Sequence, residues 1–156
     1  MIAVIDYGTG NLRSVQKAFE HVGANAQITQ NADDILSAEK IVLPGVGAIA
    51  PAMKRLRSLD LVEPIKNAIK SGKPFLGICL GLQLLFEKSE EGGSVKALSI
   101  FSGSVKKSSG SSSSFSNAGG DETSYLSRNI SMASLSLFLF CVANNNFFNG
   151  GNLNND

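Results

Sequence analysis

The chain has 156 residues, enough for one domain with a real core. With 43% hydrophobic residues, 17% charged residues and a net charge of +1, it reads as a soluble globular protein and not as a nucleic-acid binder. Its longest apolar run, Leu135 to Ala143, is broken by Ser136 and is too short to cross a membrane.

Two cysteines, Cys79 and Cys141, make neither a disulfide framework nor a metal site, so a reducing cytoplasm is the expected setting. Strand-like residues follow Met1 at once, and no signal peptide is expected. No cofactor is expected either.

Ile2 to Ile5 is an apolar run ending in Asp6 and predicts a buried first strand. Tyr7-Gly8-Thr9-Gly10-Asn11 then turns into a helix whose apolar face is Val15, Ala18, Phe19 and Val22, with Gly23 able to end it. A glycine-rich turn can cradle a phosphate, but G-x-G-x-x-G is incomplete here because position 13 is Arg. A functional loop of another kind is the better reading. Ala26 to Thr29 predicts a second strand, and Asn31 to Ala38 a short helix capped by Asn31.

Ile41, Val42 and Leu43 predict a third strand, followed by Pro44-Gly45-Val46-Gly47. The two glycines permit backbone conformations that would turn peptide N–H groups toward a reacting oxygen. A plain turn is the competing reading. Met53 and Leu56 lie on a helical stretch, and a further helix runs from about Leu61 to Ile69 with Pro64 in its first turn.

Phe75, Leu76 and Ile78 form a short apolar run, and Leu82, Leu85 and Phe86 then recur at helical spacing. Between them stands Cys79, with Gly77 before it and Gly81 after it. This is the cysteine counterpart of the nucleophile elbow G-x-S-x-G. A strand that turns sharply into a helix crowds those two positions, which glycine relieves, and the helix start is aimed at the sulfur, where it favours the charged form. Taken alone, the pattern also suits an inert buried cysteine. The strand before, the helix after and Gln83 four residues on fit a site.

Strand and helix thus alternate through the first hundred residues, which predicts an α/β fold: an open, mostly parallel sheet with helices on both faces. Asp6, Leu43 and Ile78 bring their loops to the carboxyl edge, where such sheets hold their sites.

Three segments together resemble a family: Ile5-Asp6-Tyr7-Gly8-Thr9-Gly10-Asn11-Leu12, Leu43-Pro44-Gly45-Val46-Gly47-Ala48 and Gly77-Ile78-Cys79-Leu80-Gly81-Leu82-Gln83-Leu84-Leu85-Phe86-Glu87. In order and spacing they are similar to the glutaminase subunits of imidazole glycerol phosphate synthase, class I glutamine amidotransferases of histidine biosynthesis. The similarity covers about residues 1–107. It implies that Cys79 attacks the side-chain amide of L-glutamine to form a thioester. The N–H groups of Leu80 and, after a peptide flip, Val46 would hold the oxyanion. Gly45, Gly47 and Gln83 would position the substrate. Ammonia would pass to a (β/α)₈-barrel cyclase subunit, with Tyr7, Gly8 and Asn11 toward that partner in a heterodimer.

Beyond Lys107 the similarity ends. Residues 108–156 form a Ser-rich and then Asn-rich tail that is no recognisable domain, an incomplete or aberrant C-terminal part. Trp is absent and the single histidine is His21, so the Gly-Trp-Asn and Phe-His-Pro-Glu segments of the family have no counterpart. The catalytic His and Glu are not identifiable. His21 stands about ten residues along the first helix, roughly 15 Å from the active edge. The segments 108–120 and 144–156 are expected to be mobile or irregular, and Leu135 to Val142 to offer one buried strand. Alternative readings are another triad-type amidotransferase, a cysteine hydrolase on the same elbow, or a non-catalytic binding subunit.

Overall fold

A computed structural model of the chain describes residues 1–90, 94–106, 114–116 and 140–142. The first half alternates as expected. Strand β1 (Ile2–Ile5) leads to helix α1 (Leu12–His21), and β2 (Ala26–Thr29) to α2 (Ala32–Ser37). Strand β3 (Lys40–Gly45) is followed by α3 (Ile49–Ser58) and α4 (Val62–Lys70), and β4 (Phe75–Cys79) by the single turn α5 (Leu80–Gln83). Then come β5 (Phe86–Ser89), β6 (Val95–Lys96), β7 (Phe101–Lys106), β8 (Ser114–Ser116) and β9 (Phe140–Val142).

The main sheet has the order β2-β1-β3-β4-β9. Its first four strands are parallel, and β9 runs antiparallel to β4, with Leu76 opposite Val142 and Ile78 opposite Phe140. This is the open, mostly parallel sheet that the alternation predicts. Phe140–Val142 is the described part of the strand expected at Leu135 to Val142. Within the segment 108–120, expected to be mobile or irregular, Ser114–Ser116 instead pairs antiparallel with β7 as β8; the expectations for 107–113, 117–139 and 143–156 lie outside the described residues.

Side chains alternate across the sheet with the period of two that a strand imposes. Ile5, Ile41, Leu43 and Phe75 face one side and are fully buried with Ile35 of α2, Met53 and Leu56 of α3 and Ile65 of α4. Each such side chain stabilises the fold by roughly 1.5–3 kcal/mol. Val4, Val42 and Leu76 face the other side, where Leu12, Val15 and Phe19 of α1 pack on them. Helices therefore lie on both faces, but unequally. No residue of α1 is fully buried.

Two expectations change. Gly45, read as part of a turn, is the last residue of β3. Phe86, read as helical, opens β5. The carbonyl of Leu85 accepts the N–H groups of both Ile100 and Phe101 at 2.8 and 2.9 Å, which turns the chain into a second, four-stranded sheet of order β6-β5-β7-β8. Phe86 and Phe101 stand opposite each other there, ring centroids 6.2 Å apart.

Candidate active site

Cys79 ends β4 with φ 54° and ψ −114°, a conformation that a residue with a Cβ seldom adopts. Holding it costs of order 1–3 kcal/mol, which the surrounding packing must offset. Leu80 begins α5 directly, so no loop separates strand from helix. The two glycines of the motif answer to different neighbours. A Cβ on Gly77 would lie 2.9 Å from the Cα and N of Leu82, where the chain folds back over the strand. A Cβ on Gly81 would fall on the carbonyl oxygen of Leu43 in β3. The elbow therefore closes against itself and against the neighbouring strand, and Cys79 is left exposed at the carboxyl edge.

Strand β3 brings its end to the same place: Gly45 stands in register with Cys79. Gly45 is held from several sides. The Tyr7 hydroxyl occupies the space a Cβ would need, the Leu80 Cβ is 3.2 Å from that point, and a Cβ on Gly10 would come within 3.6 Å of the Gly45 Cα. The next two residues are free of such contact. Val46 is 59% exposed, and Gly47 has φ +95° with nothing within 4 Å of a built Cβ. A clamped residue is thus followed by an unclamped pair beside the cysteine. Leu80 supplies the first amide of α5, which has no acceptor within its own helix. Gln83 is buried at the end of that turn.

The β1–α1 loop forms the remaining wall. Asp6 accepts the Gly8 N–H at 2.8 Å and the Gln30 side-chain amide at 2.9 Å. The Arg55 guanidinium on α3 donates to the Tyr7 carbonyl at 3.4 Å and covers Gly8. Asn11 is exposed and caps α1, accepting the Ser14 N–H at 3.3 Å. The side chain of Tyr7 departs from its expected place toward a partner: it is fully buried, pointing inward over Gly45, so only Gly8 and Asn11 of that trio present surface. Burial raises the Tyr7 pKa; the neighbouring Thr9 hydroxyl lowers it in part, and the charge on Cys79 adds to the rise. Both hydroxyls are buried, and neither has a hydrogen-bond partner among the described residues.

His21 is the last residue of α1 and is exposed. Helix α1 starts at the carboxyl edge and returns to the opposite one, where the Asn25 carbonyl accepts the Ile2 N–H at 2.8 Å. His21 is therefore at the wrong end of the sheet for Cys79. Among the described residues no three His, Cys, Asp or Glu side chains gather into a metal site, and no helix is long and apolar enough to cross a membrane. The inward Tyr7 and the Arg55 brace had no sequence signal beyond an aromatic residue before a glycine.

An α/β sheet with an exposed cysteine at a strand–helix elbow, and a glycine-bearing strand end in register with it, is the arrangement that the carboxyl edge presents. The chain belongs to the class-I glutamine amidotransferase family, whose profile matches residues 3–134. It is 55% identical over 105 residues to the imidazole glycerol phosphate synthase subunit HisH of Rhodopirellula baltica, covering 67% of this chain and 51% of that one. The HisH subunit of Gloeothece citriformis is 59% identical over 107 residues, covering 69% and 50%. The chain thus spans about half the length of the curated relatives it matches. A solved glutamine amidotransferase superposes with a TM-score of 0.58 at 14% identity, covering 71% of this chain and 59% of that one, which shows the shared fold.

Proposed function

We propose that the chain is the glutaminase subunit of an imidazole glycerol phosphate synthase, with Cys79 as nucleophile. The observation that carries this is the register of Gly45 with Cys79 at the strained end of β4. The Cys79 sulfur forms a bond to the side-chain carbonyl carbon of L-glutamine, and the carbonyl electrons move to oxygen. The Leu80 N–H, with the Val46 N–H once its peptide turns, donates to that oxyanion. Gly45, Gly47 and Gln83 would position the glutamine beside these donors. As the oxyanion collapses, the C–N bond breaks and nitrogen leaves as ammonia after taking a proton. Water then releases glutamate from the thioester.

Ammonia would pass to a (β/α)₈-barrel cyclase docked near Gly8 and Asn11. Histidine biosynthesis in the cytoplasm is the corresponding setting. The chemistry needs an acid–base residue to protonate the leaving nitrogen and activate water, a role worth about 10²–10⁴ in rate. His21 does not reach the site. A chain of these 156 residues should therefore keep a reactive Cys79 while releasing ammonia very slowly. The test is an ammonia-release assay with the cyclase present and Cys79→Ala as blank, beside labelling of Cys79 by a glutamine-like electrophile. Labelling that L-glutamine does not protect against would sink the glutaminase reading and favour a cysteine hydrolase of other specificity. Protected labelling with no ammonia above the blank matches the expectation. Rapid turnover would mean that another residue serves as base.

A further inference from the structure

Resting on the glutaminase reading, the structure assigns Tyr7 a further role: we propose that its hydroxyl is a positioning group that favours the turned, oxyanion-binding peptide between Gly45 and Val46. Three observations meet here. The hydroxyl is buried, with no hydrogen-bond partner among the described residues. It lies directly over Gly45, on the space a Cβ would take. The peptide that follows Gly45 joins a clamped residue to an exposed one, Val46, and then to Gly47 with open space about it.

A buried hydroxyl without a partner is unfavourable, and any state that supplies an acceptor gains by comparison. The Gly45 carbonyl and the Val46 N–H belong to one rigid peptide plane. When that plane rotates to aim the N–H at the substrate oxygen, the carbonyl oxygen swings to the opposite side. The Tyr7 hydroxyl, beside the Gly45 Cα, is the donor placed to receive it. In the resting state the hydroxyl has no hydrogen-bond partner among the described residues, and the turned peptide gives it an acceptor, so Tyr7 biases the equilibrium without touching substrate. Glycine at 45 is required because any side chain there would displace the hydroxyl.

The experiment compares two electrophiles on the full chain and its Tyr7→Phe variant. A glutamine-like chloromethyl ketone passes through a tetrahedral adduct and needs the oxyanion donors. Iodoacetamide alkylates the sulfur by direct displacement and does not. Tyr7→Phe should lower the ketone rate about tenfold and leave the iodoacetamide rate within about twofold. Thr9→Val, which removes the neighbouring hydroxyl, should leave both rates near those of the parent. Equal ketone rates for parent and Tyr7→Phe overturn the proposal while leaving the glutaminase reading intact. Parallel loss of both rates in Tyr7→Phe also overturns it, since that marks a packing role alone. Ketone labelling of the parent that L-glutamine does not slow overturns the glutaminase reading itself, and the role of Tyr7 falls with it.

Discussion

Gly81 and the Leu43 carbonyl are in such close approach that the oxygen occupies the position of the missing Cβ. The start of α5 is thereby seated on β3, and the direction of the elbow is set by two strands together. Gly81→Ala should push the turn off the sheet, cost at least about 2 kcal/mol, and slow Cys79 labelling. Gly23→Ala is the matched control. Gly23 also has a positive φ, of +77°, but nothing lies within 4 Å of its built Cβ, so only about 1 kcal/mol of backbone strain is expected. Urea midpoints of the two variants, with unchanged slopes, check the difference.

Tyr7 makes the alkaline limb of stability specific. Its pKa is raised from 10.0, first by burial. Above pH 10.0 the unfolded chain has lost a proton that the folded chain retains, so stability falls as pH rises toward the raised value and levels off beyond it. Below 10.0 the contribution is fully present. Tyr7→Phe should show a shallower decline than the parent between about pH 9 and 11 in urea titrations. Identical slopes would mean that Tyr7 is not desolvated in solution.

Helix α1 depends on its cap more than the other long helices do, because none of its residues is fully buried. Asn11→Ala removes the acceptor for the Ser14 N–H and should cost about 1 kcal/mol. Amide exchange should localise the loss to residues 12–21. An equal rise in exchange across β3 and β4 would show that α1 opens only with the whole domain.

His21→Ala should leave the rate of Cys79 alkylation unchanged, because His21 ends α1 at the opposite edge of the sheet. A change of more than about threefold, roughly 0.65 kcal/mol, would place the imidazole at the site against the run of α1.

Much of this was legible in the sequence because it is local. The apolar runs at Ile2–Ile5 and Phe75–Ile78 are strands because both faces are covered. The elbow shows itself because the crowding that demands Gly77 and Gly81 arises within a few residues and at one neighbouring strand. What was hidden depends on distant partners. Pro44 and Gly45 look like a turn, yet they extend β3 because the register with Ile78 and Cys79 continues through them. Leu82, Leu85 and Phe86 have helical spacing, yet the chain leaves the helix because Ile100 and Phe101 take the Leu85 carbonyl. Tyr7, beside a glycine in a loop, gave no sign that it points inward, because its cover comes from Gly45 in another strand.

Strand β9 gives β4 a neighbour on its otherwise open side. During synthesis β4 leaves the ribosome long before Phe140 does. Until then the strand that carries Cys79 is a sheet edge, with a row of unpaired backbone groups able to template another chain. A product that stops short of β9 would keep its elbow motif but carry that adhesive margin permanently. Two such copies would meet edge to edge beside their cysteines, and self-association would then compete with docking to any other partner at that margin.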